Sequence, residues 1–559
     1  MKSVKTKNVQ HISNNSVLVI KLNHEIQERT AESPFNFDFD DNTPTRETAG
    51  LDDIIASIRH ASTDSKIKGI YLNMGDIPAG IATLQTIRKE LMDFKTSGKF
   101  IIAYAIGYSQ KSYYLASVAD KVYLYPEGEI YLKGLSIELM FYKKALDKLG
   151  IQVQVFRHGR FKSFVEPYIL DKMSPDNKLQ LRGLVSSLWV SMLSDIANSR
   201  HLTVGDINTM ADSLSISSAR EALKYKLVDS LMYPDQVSEE VKKAGRLITD
   251  KRDIENNYVS LDEYRRSFNT FSSSMSKIAV IYANGDIVQG EGDDETIGST
   301  RISHAIRDAR LDPEVKAIVL RVNSPGGDGI ASDIIWREVV LAKKEKPVIV
   351  SMGDYAASGG YYISCAANEI VAEPTTITGS IGVFGLLPNA KELLEDKLGI
   401  TTDTVSTNTH SSAPSLAYPL ETKEAMVLQN AIEDFYHTFL TRVSDGRNMT
   451  VANVDSIGQG HVWTGEQAIK IGLVDTLGSL KLAIKIAARK ANLSSNYGIE
   501  ELPHQMNPLH KFLSGLGAES GQSLLKSTLG DAYKPIDDIK KLQNTKGVQA
   551  RMPYDINIQ

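Results

Sequence analysis

Cysteine is almost missing from this chain. Cys365 is the single thiol in 559 residues, so no disulfide closes within the chain, and one thiol leaves the redox compartment open. A long apolar run is missing from the start as well. Residues 1–14 are polar and basic, with neither the apolar centre of a signal peptide nor a spanning helix. The chain as written therefore reads as soluble, or as the soluble portion of an anchored protein. Neither sign of charge dominates: 63 Lys and Arg stand against 68 Asp and Glu, a net charge of −5, and nothing points to a nucleic-acid partner. No metal-ligand spacing and no Gly-x-x-x-x-Gly-Lys-Ser/Thr phosphate loop stands out. No metal, no cofactor and no ATP-driven unfolding of substrates is expected.

An internal repeat is what the sequence does have. Asp64-Ser65-Lys66-Ile67-Lys68-Gly69-Ile70-Tyr71-Leu72 lies over Asp312-Pro313-Glu314-Val315-Lys316-Ala317-Ile318-Val319-Leu320, and the same offset of 248 residues pairs Tyr113-Tyr114 with Tyr361-Tyr362, Pro126 with Pro374 and Gly134 with Gly382. With one residue of slip, Asp147-Lys148-Leu149-Gly150-Ile151 answers Asp396-Lys397-Leu398-Gly399-Ile400. Each half alternates short Val/Ile/Leu-rich runs with longer amphipathic stretches such as Ile330 to Lys343. That alternation predicts a tandem duplicated α/β protein with largely parallel strands. The expected boundaries are 1–245 for the first repeat, 246–276 for a polar linker, 277–490 for the second repeat and 491–559 for a tail with helical pieces. The acidic stretch Glu28 to Asp41 is expected to be an exposed insertion.

The chemistry gathers in the second repeat. Pro347-Val348-Ile349-Val350-Ser351 suits a buried strand, Tyr361 to Ala367 suits a packed helix, and Ala356-Ala357-Ser358-Gly359-Gly360 turns between them. A serine on such a corner is either a nucleophile beside an oxyanion donor, the next N–H, or a plain helix cap. Upstream, Asn323-Ser324-Pro325-Gly326-Gly327-Asp328 ends a strand on two glycines, whose backbone a ligand can approach closely. As a turn alone it is also ordinary. Thr378-Gly379-Ser380-Ile381-Gly382 adds another hydroxyl. The first repeat has lost these features: Gln110, Lys111 and Ser112 stand at the places of Ser358, Gly359 and Gly360, Pro78 and Ala79 at those of Gly326 and Gly327, and Leu132 at that of Ser380.

Arg321-Val322-Asn323-Ser324-Pro325-Gly326-Gly327, Ala356 to Tyr361, Thr378 to Gly382 and Gly460-His461-Val462-Trp463-Thr464-Gly465 together resemble the signal peptide peptidase A family, serine protease family S49, in its long, duplicated form. The resemblance covers roughly residues 15 to 490. It implies tandem ClpP/crotonase-like domains and a Ser/Lys dyad whose lysine comes from the first half. Phe161-Lys162-Ser163-Phe164-Val165-Glu166-Pro167-Tyr168 matches the lysine motif, so Lys162 is the implied base, with Ser380 orienting its amine. The N–H of Gly359, with one from Gly326 or Gly327, is the implied oxyanion hole. Implied too are substrates that are cleaved signal peptides and other unfolded apolar segments, assembly as a homo-oligomer (a tetramer), and membrane association at the bacterial inner membrane, facing the periplasm.

For Lys162 to accept a proton it has to be neutral, far from the reference lysine pKa of about 10.4, and desolvation among apolar groups lowers a lysine pKa, by up to ~3–5 units when burial is complete. Phe161, Phe164 and Val165 are the expected apolar neighbours. Read on its own, Lys162 is one cation in a basic segment with Arg157, His158 and Arg160. His158 is the rival base. Asp354 is read as a loop residue, Trp463 as a packing anchor and Cys365 as a core residue. Two other classes stay open: a crotonase-type acyl-CoA enzyme, which uses oxyanion glycines without a nucleophile, and a non-catalytic scaffold.

Overall fold

A computed structural model describes residues 12–30, 49–246, 257–268, 274–494, 496–505 and 547–552. Most of the expected insertion and tail lies outside these residues; of the expected linker, residues 246, 257–268 and 274–276 are described, and they include the strand Tyr258–Ser260 and the helix Leu261–Arg265. Of the insertion, only Glu28 to Thr30 is described, and Glu28 is buried. The chain forms two compact bodies. One comprises residues 1–135 and 188–272, the other residues 136–187 and 273–559.

The first body is built on a parallel sheet in the order Ser230–Leu231, Lys121–Leu124, Phe100–Ala105, Ile67–Asn73, Ser16–Ile20, Tyr258–Ser260. Its strands are almost wholly apolar, as strands covered on both faces have to be; Val17, Leu18, Ile70, Leu72, Ile101 and Ala103 are all without solvent contact.

In the second body the sheet runs Val462–Thr464, Ile377–Gly379, Val348–Ala357, Val315–Ser324, Lys277–Asn284, Gly498–Leu502, with Glu369–Ala372 also beside Val348–Ala357. The pairs Val348–Ala357 makes with Val315–Ser324 and with Ile377–Gly379 are parallel. A further sheet of the same body has the order Thr296–Gly298, Asp286–Val288, Gly326–Asp328, Gln549–Arg551, Val383–Asn389, Gln152–His158. Parallel neighbours place the carboxyl ends of successive strands along one edge, where an open α/β sheet builds its site. Val315–Ser324 ends there on the glycine turn and Val348–Ala357 on Ser358.

The duplication extends from sequence to contacts. The Tyr113 hydroxyl donates to Leu227 O at 2.6 Å, and the Tyr361 hydroxyl donates to Leu473 O at 2.9 Å. In one body Arg200 pairs with Asp229, whose Oδ2 accepts from the N–H of Val122. In the other, Arg447 pairs with Asp475, whose Oδ2 accepts from the N–H of Ile370. The architecture is α/β and tandem duplicated, as the sequence predicts. One local expectation is corrected: the strand before the serine reaches Ala357, so Asp354 belongs to a strand and not to a loop. The parallel pairing of Tyr355–Ala357 with Ile377–Gly379 extends it that far.

Candidate active site

Ser358 sits where the strand Val348–Ala357 meets the short helix Gly359–Ser364. Its backbone has φ 54° and ψ −111°, a strained conformation for a residue with a side chain and a mark of functional corners. Two hydrogen bonds hold it: the N–H of Ser358 donates to Gly379 O and the N–H of Tyr362 to Ser358 O, each at 2.8 Å. The serine makes no side-chain cap on its helix, so the plain-cap reading fails. The hydroxyl instead donates to Gly382 O at 3.3 Å.

Lys162 reaches the same point. Its Nζ donates to Ser358 Oγ at 2.9 Å, to Ser380 Oγ at 3.1 Å and to Ser380 O at 3.3 Å. All three side chains are fully buried. The lysine segment is pinned by its backbone: the N–H of Phe161 donates to Gln459 O at 2.8 Å, and Gln180 Nε2 donates to Phe161 O at 2.9 Å. Gly460, at φ +79°, lets the chain pass close by, because a Cβ there would lie 2.7 Å from Lys162 N and 2.8 Å from its Cα. That contact explains the glycine that opens the Gly460 to Gly465 motif. Ser380 also carries a positive φ, of 50°, and its N–H is held by His461 O at 2.7 Å.

The surroundings of the amine are apolar. The Phe384 ring centre lies 5.9 Å from Nζ, and Phe164 stacks on Phe384 at 4.6 Å. Burial holds Lys162 well below the ordinary lysine pKa, and among the described residues no countercharge opposes it. A buried amine without a carboxylate partner gives up its proton. Its lone pair is then free to accept one from Ser358 Oγ, which a hydrogen-bonded neutral amine does readily.

The remaining sequence candidates fall as follows. His158 turns to Glu433, Nδ1 to Oε2 at 2.5 Å, and stacks on Tyr436 at 4.0 Å. Gly326 has φ +103°, and its N–H donates to Ser324 Oγ at 3.1 Å. A Cβ on Gly326 would lie 2.8 Å from Gly359 N, so the glycine turn and the residue after the serine press against each other. Trp463 stacks on His461 at 3.9 Å and donates to Ile457 O at 3.0 Å, which makes it a packing anchor. Cys365 is buried and its thiol is pushed up to about 12, an unreactive core residue. No cluster of metal-ligating side chains occurs among the described residues.

The sequence reading missed Gln549–Arg551. This strand pairs antiparallel with Gly326–Asp328 and, through Gln549, with Phe384, and so lies over the glycine turn. No local signal marks it.

The model of peptidase family S49 matches residues 93–247 and 341–494, one match in each repeat. Protease 4 of Salmonella typhi is 41% identical over 452 residues, covering 79% of this chain and 72% of that protein. Protease 4 of Haemophilus influenzae is 36% identical, covering 80% and 74%. A protein of Arabidopsis thaliana described as a chloroplastic serine protease SPPA is 31% identical, covering 97% and 78%. Among solved structures, a ClpP1 mutant from Listeria monocytogenes matches with TM-score 0.26 at 13% identity, covering 37% of this chain and 94% of that one.

Proposed function

The chain belongs to peptidase family S49, and from that premise we propose that it hydrolyses peptide bonds with Ser358 as nucleophile and Lys162 as general base. The observation that carries this reading is the 2.9 Å approach of Lys162 Nζ to Ser358 Oγ in a fully buried, apolar setting. Ser358 Oγ attacks the peptide carbonyl as its proton passes to Lys162 Nζ. The resulting oxyanion is held by the N–H of Gly359 and by an N–H of the Gly326-Gly327 turn. Lys162 then returns its proton to the leaving amine nitrogen, and the acyl group stays on Oγ. Water, losing a proton to the same amine, attacks the ester carbonyl, and the acid leaves as Lys162 passes that proton back to Ser358 Oγ. Ser380 orients the amine through its hydroxyl and carbonyl, which accept from Nζ.

The enzyme is a serine-type peptidase, and its substrates are peptides. The substrate class proposed is cleaved signal peptides and other unfolded apolar segments. An extended chain pairs with the strand edges beside Ser358 as an added strand, which a folded domain cannot do. A crotonase-type acyl-CoA enzyme needs no nucleophile and is not favoured, and the intact dyad argues equally against a scaffold. Among the described residues no helix is long and apolar enough to cross a membrane. A homo-oligomer, a tetramer, associated with the bacterial inner membrane and facing the periplasm is part of the proposal through the family resemblance alone.

The test is to offer one protein in native and in reduced, unfolded form, without ATP, to the wild type and to Ser358→Ala. The reading expects cleavage of the unfolded form by the wild type alone. Equal rates on both forms, beyond spontaneous unfolding, contradict the substrate class, and cleavage by Ser358→Ala contradicts the nucleophile.

A further inference from the structure

The strand Gln549–Arg551 lies between the two strand edges that flank the dyad. Gly326 faces Arg551, Gly327 faces Ala550 and Asp328 faces Gln549 on one side, while Gln549 faces Phe384 on the other. Beyond each end of this short ladder the register continues, since the N–H of Met552 donates to Pro325 O at 2.7 Å and the N–H of Gly329 to Val548 O at 3.0 Å. Hydrogen-bonded pairs recur every second residue in an antiparallel ladder, so Gly327 and Ala550 form the pair between them. The carbonyl oxygen of Ala550 is thus turned to the glycine cradle. A Cβ on Gly326 would lie 2.1 Å from it, and a Cβ on Gly359 2.9 Å from it.

These are the contacts a substrate strand has to make if the reading above is right, and the inference rests on that reading. Ala550 is fully buried and belongs to the same apolar core cluster as Ile287 and Ala331, and Met552 is almost as buried. Arg551 pairs with Asp286, Nη2 to Oδ2 at 3.1 Å, and its guanidinium lies 6.0 Å from the Phe164 ring. With this strand seated, neither Ser358 nor Lys162 has any solvent contact, yet hydrolysis requires a peptide carbonyl at Ser358 Oγ.

We propose that Gln549–Arg551 is a built-in occupant of the substrate groove, bound as a substrate strand with Ala550 at the glycine cradle, and that it has to leave before a peptide reaches Ser358. The groove closes on its own chain. A peptide that competes for it carries a small residue at the position of Ala550, because that side chain is enclosed by the core of the body.

The experiment uses the full chain with Ala550→Glu and, separately, Met552→Asp, each placing a carboxylate where the seated strand offers no solvent. Three readouts are taken: thermal unfolding, the rate at which a fluorophosphonate adds to Ser358 as followed by mass, and hydrolysis of an unfolded apolar peptide. A site open only a fraction of the time reacts in proportion to that fraction. Both variants should therefore label at least about 10-fold faster than the wild type, and the synthetic peptide Gly-Val-Gln-Ala-Arg-Met should slow them while its Ala-to-Leu version does not. Folded variants that label no faster than the wild type overturn the proposal. So does failure of both to fold, which makes the strand part of the core. Faster labelling without peptide hydrolysis leaves the gating standing and refutes peptide hydrolysis instead. Should only one variant fold, its labelling rate decides.

Discussion

Gln110 donates its side-chain amide to Gly134 O at 2.8 Å, and its Oε1 accepts from the N–H of Lys133 and of Gly134. In the second repeat Ser358 and Gly382 stand at the corresponding places, and there the hydroxyl meets the carbonyl at 3.3 Å. One repeat has filled with a fixed amide the spot where the other keeps a hydroxyl.

The first repeat is therefore expected to be silent. Ser358→Ala should cut peptide hydrolysis by about a thousand-fold or more, and adding Gln110→Ser should restore none of it. Pro78, Ala79 and Leu132 stand where the glycine pair and the second serine would be needed. Initial rates on an unfolded peptide check this; recovery of activity in the double variant reveals a second site.

Ser380, whose oxygens accept from the lysine amine, is proposed as a positioning residue. A hydrogen bond to a charged group contributes about 1.5–3 kcal/mol. Ser380→Ala should lower kcat by roughly 10- to 100-fold and leave KM nearly unchanged. Loss of an acceptor disfavours the ammonium form, so the midpoint of the kcat/KM pH profile should move to lower pH. A KM effect alone, with an unmoved profile, assigns Ser380 to packing.

Burying Lys162 has a consequence for stability. Burial holds its folded pKa well below the ordinary lysine value of 10.5, while the unfolded chain takes up a proton near that value. Between the two pKa values unfolding binds a proton, so stability falls as pH drops from about 10.5 and levels off below the depressed folded value. Lys162→Met removes this dependence. In urea unfolding, the stability of Lys162→Met relative to the wild type should rise between pH 10 and pH 7. A difference that does not change with pH contradicts a neutral buried lysine.

The corner serine was legible because Ala357-Ser358-Gly359-Gly360 follows an apolar run and precedes small residues, a pattern with few local solutions. The duplication was legible because contacts such as Tyr361 to Leu473 constrain both copies alike. Lys162 was not legible from its neighbours: Arg157, His158 and Arg160 give it the look of a basic surface segment, and only the resemblance singled it out. Which body a segment packs into is not written in the repeat register, and residues 136–187 lie within the first repeat in sequence while belonging to the second body. Gln549–Arg551 was illegible for a related reason. A strand this short owes its conformation to the edges of Gly326–Asp328 and Val383–Asn389, not to its own side chains.

The central claim is that a neutral Lys162 takes the proton of Ser358. Arginine keeps a cation at the position and does not deprotonate in proteins. The most direct measurement is kcat/KM against pH for the wild type and for Lys162→Arg on one unfolded apolar peptide, with folding of both confirmed. The account predicts a wild-type rate that rises with pH through a single ionisation below 10.5, and a Lys162→Arg rate at background throughout. A Lys162→Arg enzyme that keeps most of the wild-type rate contradicts it.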